Sequence, residues 1–307
     1  MKNKELRGFL TAVFAMLFWS LSFVWVKVVF ESYKPFTVIF FRLIISVALL
    51  TVFLAVTKRL KMPDKKTMKS LLLVAIFEPF LYFLGETNGL QYVSSTLGSV
   101  IISTIPLFTP IAGWFLLKER ISSKNVVGLV LSFVGVTLVA VNPNFSLAAS
   151  PKGLMLLMLA VFSAVGYSVV LKDLADKLSP LNIIFYQNLI GIFLFAPIWY
   201  FSDFDHVMQV GFQADAMIAI FKLAVFASTI AFVLYTYSIR DIGITKAAVF
   251  CNTIPVFTAI FAYFIIDEVI TLQKTIGIAI VIGGLLLTQQ QSHKKGWKLF
   301  NITSRRS

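Results

Sequence analysis

The chain has 307 residues, of which 58% are apolar and only 13% charged; a soluble domain usually carries about 25% charged residues, so water cannot be its main solvent. One cysteine (Cys251) and two distant histidines (His206, His293) exclude an intrachain disulfide, a thiolate metal cluster and haem ligation, and no cofactor is expected. The net charge of +13 would suggest nucleic acid in a soluble protein, but in a membrane protein the basic residues first have to be placed against the bilayer.

Apolar stretches of about 20 residues, the length that crosses the hydrocarbon, occur ten times, at 8–30, 35–57, 69–87, 93–117, 124–142, 152–172, 180–201, 213–238, 245–266 and 272–290. Pro35 and Pro180 stand where proline suits a first helical turn. The first stretch is too long for a cleaved leader and reads as a retained helix. Ten spans put both ends on one side. The amino end, every second connection and the tail hold 21 Lys and Arg, the alternate connections only Lys34, Lys152 and Lys274. This bias assigns both termini to the cytoplasm and the chain to the cytoplasmic (inner) membrane as a multi-pass protein. The charge is thereby topological, and no nucleic-acid partner is expected; the lipid bilayer is the partner the composition demands.

Sliding the chain along itself by 149 positions brings 14 identities into register, among them Thr96/Thr245, Pro106/Pro255, Glu119/Glu268, Gly128/Gly277 and Gly135/Gly284. Upstream the offset is 145, pairing Gly8, Lys27 and Pro35 with Gly153, Lys172 and Pro180. The expected organisation is an all-α membrane protein of two five-helix repeats, 1–145 and 150–290, followed by a basic cytoplasmic tail at 291–307. Because five is odd, the second copy enters the bilayer from the opposite side, and inverted repeats can exchange conformations to open alternately to either face.

The segments FWSLSFVWVK, PFTVIFFRL, GLQYVSSTLGSVIISTIPLFTPIAGWFLLKERIS and SIRDIGITKAAVFCNTIPVFTAIFAYFIIDEVIT resemble the EamA-type transporters of the drug/metabolite transporter superfamily over roughly residues 6–290. The resemblance implies alternating-access movement of small metabolites across the cytoplasmic membrane, often outward. The chain departs from the repeat where Gln187 stands for Arg42 and Asp267 for Lys118.

Glu78 is the sharpest candidate for transport chemistry, because a carboxylate in mid-span must face a cavity or a partner. It reads either as a substrate or proton site, or as half of a buried ion pair with Lys27, Arg42 or Lys222. Pro79 breaks the helix beside it. Tyr82 and Glu86 follow at helical spacing on one stripe, Glu86 as a second coupling candidate or a solvated end residue. Pro106 and Pro255 are helix breaks in corresponding places of the two halves, a pointer to a midplane site. Asn252, Gln187 and Trp19 are further substrate-binding candidates, with helix contacts or core packing as the alternatives. Lys222 either neutralises Glu78, meets a substrate carboxylate or snorkels. Gly128, Gly135, Gly277, Gly283 and Gly284 read as close-packing positions between halves or protomers.

The leading reading is a secondary transporter exporting small organic solutes such as amino acids, driven by gradients because no phosphate-binding loop exists for ATP, with protons carried through Glu78 as the coupling ion to be tested. A lipid or polyisoprenoid-carrier flippase is the alternative, and an intramembrane enzyme the remote one, because no histidine or metal set lies in any span.

Overall fold

The computed structural model describes residues 2–108, 123–140, 149–175, 177–242, 247 and 250–289, and among these there is no strand. The helices are α1 (Lys2–Phe30), α2 (Pro35–Val56), α3 (Lys65–Ala75), α4 (Tyr82–Gly89), α5 (Ser95–Ile102), α6 (Ser123–Ala140), α7 (Pro151–Ala175), α8 (Pro180–Ser202), α9 (Phe204–Val210), α10 (Ala214–Lys222), α11 (Ala231–Ile242), α12 (Ile254–Ile266) and α13 (Leu272–Gln289). Wider π turns join α3 to α4 (Ile76–Leu81) and α10 to α11 (Leu223–Ile230). Among the described residues six helical stretches are long and apolar enough to cross a bilayer, and four shorter apolar helices accompany them. The basic tail, 109–122 and most of 243–249, where parts of the fourth and ninth expected spans and of the repeat match fall, lie outside the described residues.

The third span is interrupted where Pro79 is expected to break it. Two expectations change: the eighth span is interrupted as well, at Leu223–Ile230, and α9 occupies what reads as a loop in the sequence. Gly211, with φ 67°, ends α9 in a conformation that side chains other than glycine's rarely adopt.

Local chemistry starts several helices. Asp64 accepts the Thr67 amide at 2.9 Å and Ser94 the Leu97 amide at 3.2 Å. At α2 the preceding residue, Lys34, supplies no cap. Asp203 of the other half does so, taking the Thr37 amide at 2.9 Å.

The halves exchange helices, and paired contacts show their symmetry. Gly8 on α1 is so close to α11 that an added Cβ would lie 2.6 Å from Ile242 and 2.9 Å from Asp241. Gly153 on α7 meets α4 and its following turn in the same way, 2.6 Å from Tyr92 and 2.9 Å from Val93. Arg7 then reaches Asp241 at 2.6 Å where Lys152 reaches the Tyr92 hydroxyl at 2.9 Å. Between α6 and α13, a Cβ on Gly135 would strike Gly277 O at 2.7 Å, and one on Gly284 would strike Gly128 O at 2.6 Å. Ser132, whose partner in the repeat is Val281, donates to the Val281 carbonyl at 3.4 Å. A position touching its own counterpart lies on a two-fold axis, so α6 and α13 pack about the pseudo-symmetry axis. Gly283 meets nothing within 4 Å and takes no part in this contact.

Candidate functional site

The two π turns occupy corresponding places in the repeats, since residues 76–81 overlap Leu223–Ile230 whether shifted by 145 or by 149. In the first, Pro79 has no amide hydrogen to give, and Glu78 leaves helical geometry for extended backbone at φ −142°, ψ 119°. Carbonyls near such breaks need donors, because no water is available in hydrocarbon. Phe77 O accepts the Ser163 hydroxyl at 2.6 Å, and Ala227 O accepts the Trp19 indole N–H at 3.3 Å. Trp19 thus fastens α1 to the second break, with its ring 5.2 Å from Phe232 and 5.1 Å from Tyr235.

Polar side chains gather between these breaks. Glu78 and Glu86 are buried, with Tyr82 half-buried between them on the same stretch. Arg42 of α2 lies within electrostatic reach of Glu86, Tyr82 and Glu78. Its Nε donates to Ser228 Oγ at 2.9 Å, and its guanidinium covers the Phe83 ring at 4.2 Å from the centroid. Yet neither glutamate forms an ion pair with it within 4 Å among the described residues. Glu86 accepts the Thr87 hydroxyl at 2.8 Å, so it is no solvated end residue. Gln187 is buried on α8 and accepts the Tyr167 hydroxyl at 3.3 Å, and Tyr167 in turn lies within reach of Glu78. Cys251, beside buried Asn252 in a 3₁₀ turn, contacts the Tyr235 hydroxyl at 3.9 Å and lies within reach of Tyr82.

The remaining candidates sit elsewhere. Lys222 is exposed on the outer surface of α10, and the structure does not bring it to Glu78. Lys27 is not Glu78's partner either: its ammonium donates to the carbonyls of Leu90 and, at 2.6 Å, Val93, where α4 ends. Lys27→Met is expected to strand those acceptors and to cost about 1–3 kcal/mol of stability, read as a lowered melting temperature in detergent. Pro106 and Pro255 follow breaks closed in the same way, by Thr104 Oγ1 on Ile101 O and Thr253 Oγ1 on Phe250 O, both at 2.6 Å. Pro255 opens α12, so it starts a helix instead of bending one.

Sequence reasoning missed Ser228, Tyr167 and Tyr235. Ser228 is a small polar letter in an apolar run with no motif around it, and the two tyrosines carry no signal distinguishing them from other aromatics in apolar runs.

The EamA-like transporter family matches this chain twice, over residues 6–141 and 151–289. An uncharacterized transporter of Archaeoglobus fulgidus is 26% identical over 281 residues, covering 91% of this chain and 96% of that protein. The uncharacterized transporter YetK of Bacillus subtilis is 28% identical, over 80% of this chain and 75% of its own length. A chloroplastic WAT1-related protein of Arabidopsis thaliana is 29% identical, over 88% of this chain and 66% of its own. One crystal structure superposes with a TM-score of 0.67 at 15% identity, over 94% of this chain and 98% of the other, a likeness of fold.

Proposed function

The chain belongs to the EamA-like transporter family, and from that membership we propose that it is a secondary active transporter that moves small organic metabolites, amino acids among them, out of the cell by alternating access. It is a transporter-family, multi-pass membrane protein; substrate class, direction, energy source and orientation are the proposal. The observation that carries it is the set of Glu78, Glu86 and Arg42, buried at the broken helices between two halves of inverted symmetry. Charges held there without direct pairing are expensive in a membrane interior and mark a solute or ion pathway. Exchange of the two halves' conformations would turn that centre from one face to the other.

In this proposal both termini face the cytoplasm of the inner membrane, a reading supported by the bias of Lys and Arg between alternate connections, and protons drive export through Glu78, with Glu86 as its neighbour. Trp19, Tyr82, Gln187 and Asn252 line the solute's path. The site takes a small molecule and no cofactor. Untargeted metabolite profiling of cells and medium, with and without expression, should show a solute depleted inside and enriched outside. Counterflow of that solute in proteoliposomes should then follow an imposed pH gradient. Identical profiles, or a lipid as the only species moved, would overturn the reading.

A further inference from the structure

Arg42 is fixed by two contacts, and part of its guanidinium is left without a partner among the described residues. Only 3% of the residue is accessible. Its Nε is committed to Ser228 on the second half's π turn, and its flat face to Phe83. Its Nη1 is enclosed, yet has no hydrogen-bond partner among the described residues. A guanidinium in a protein does not shed its proton, so a dry, unpaired N–H there calls for an acceptor that arrives from outside. With Nε taken, Nη1 together with Nη2, which makes no hydrogen bond among the described residues, forms the end-on fork whose two parallel donors match the two oxygens of a carboxylate.

We propose that Arg42 is the anion-binding residue of the transport site and docks the carboxylate of a monocarboxylate solute, an inference that rests on the transport reading above. Glu86 and Glu78 lie close enough to balance the guanidinium in the empty protein. Arg42 is the one cation that reaches these acids among the described residues, so the centre can match one negative charge, whereas a phosphate or dicarboxylate would bring a second with no counterpart. A single carboxylate, on a molecule otherwise neutral or bearing an ammonium, is the anion this centre tolerates. Gln187, the repeat counterpart of Arg42, is neutral and already accepts from Tyr167, so at this position of the repeat the cation belongs to the first half.

The test measures binding by the full-length purified protein with no gradient applied. The probes are the twenty proteinogenic amino acids, their 2-oxo acids and the methyl esters of both series, read by thermal shift and then by titration. The wild type should prefer at least one acid to its ester. Arg42→Gln should weaken that acid by about thirtyfold or more and leave acid and ester alike. Glutamine already stands buried at the repeat counterpart, position 187, which makes it the conservative replacement, and an unchanged melting profile in detergent checks that the variant is folded. Arg42→Lys, which keeps the charge but loses the fork, should recover part of the preference. Ser228→Ala should weaken the acid without abolishing its advantage. An Arg42→Gln protein that keeps the wild-type acid preference, or a wild type that binds no carboxylate of the panel, overturns the proposal. Solute movement by wild type and Arg42→Gln alike would then leave the transport reading standing, whereas a carboxylate bound but never moved by the wild type would remove transport and spare the anchor.

Discussion

Reconstituted Glu78→Gln protein is expected to lose pH-gradient-driven solute movement to the level of protein-free vesicles, while keeping its helical content and melting profile. Glutamine matches glutamate in shape, and Pro79 still interrupts the helix, so the extended backbone at position 78 has no reason to change. What disappears is the proton. The carboxyl is buried within reach of Arg42 and Glu86, where a charge change alters the balance of the whole centre, and an amide cannot make that change. Wild-type transport should therefore vary with pH on both sides of the membrane, and residual Glu78→Gln movement should be independent of it. Glu86→Gln separates the two acids: a loss equal to that of Glu78→Gln would mean that they act as a coupled pair. Gradient-driven transport at the wild-type rate by Glu78→Gln would remove proton carriage from this residue and leave the anion anchor untouched.

Legibility in the sequence followed the kind of signal each feature leaves. Pro79 announces the first break in one letter. The second, at Leu223–Ile230, contains no proline or glycine and is visible only because the repeat places it opposite the first. Lys222 shows why depth along a span does not fix direction around it. Ile218 and Phe221 are each 51% exposed, and Lys222 is exposed beside them. The spacing i, i+3, i+4 makes them one outward stripe, along which a lysine stem can extend toward the interface. Arg42 is the converse, sharing its stripe with buried Ile39, Leu43 and Ser46. Asn188 and Tyr186 read as interruptions of an apolar run, yet they serve packing: Asn188 donates to Ser46 at 3.0 Å and Tyr186 to the Lys61 carbonyl at 3.0 Å. A polar letter in a span reports that a partner exists, and only coordinates tell a helix from a solute.

The α6–α13 contact carries the second large effect. Gly135→Leu and Gly284→Leu are each expected to prevent accumulation of monodisperse protein, whereas Gly283→Leu, one residue away, should leave yield and melting temperature near wild type. Membrane helices gain nothing by hiding apolar surface from lipid, so their association depends on close approach, which small residues permit. At Gly135 an added Cβ would lie 2.7 Å from Gly277 O and 2.8 Å from Val281 N; at Gly284 it would lie 2.6 Å from Gly128 O and 3.0 Å from Ser132 N. These are backbone atoms, which cannot rotate aside as a side chain can, so the whole helix must retreat. Overpacking of this kind costs about 1–3 kcal/mol or more per site. Because the two contacts are images of one another across the axis at Ser132 and Val281, the two variants should fail to a similar degree. The Gly135→Leu/Gly284→Leu double variant should cost no more than their sum if the retreat made for one clash relieves the other. Unequal single-variant losses, with Gly135→Leu behaving like Gly283→Leu in fluorescence-detected size exclusion, would show that the halves do not meet about this axis in the membrane.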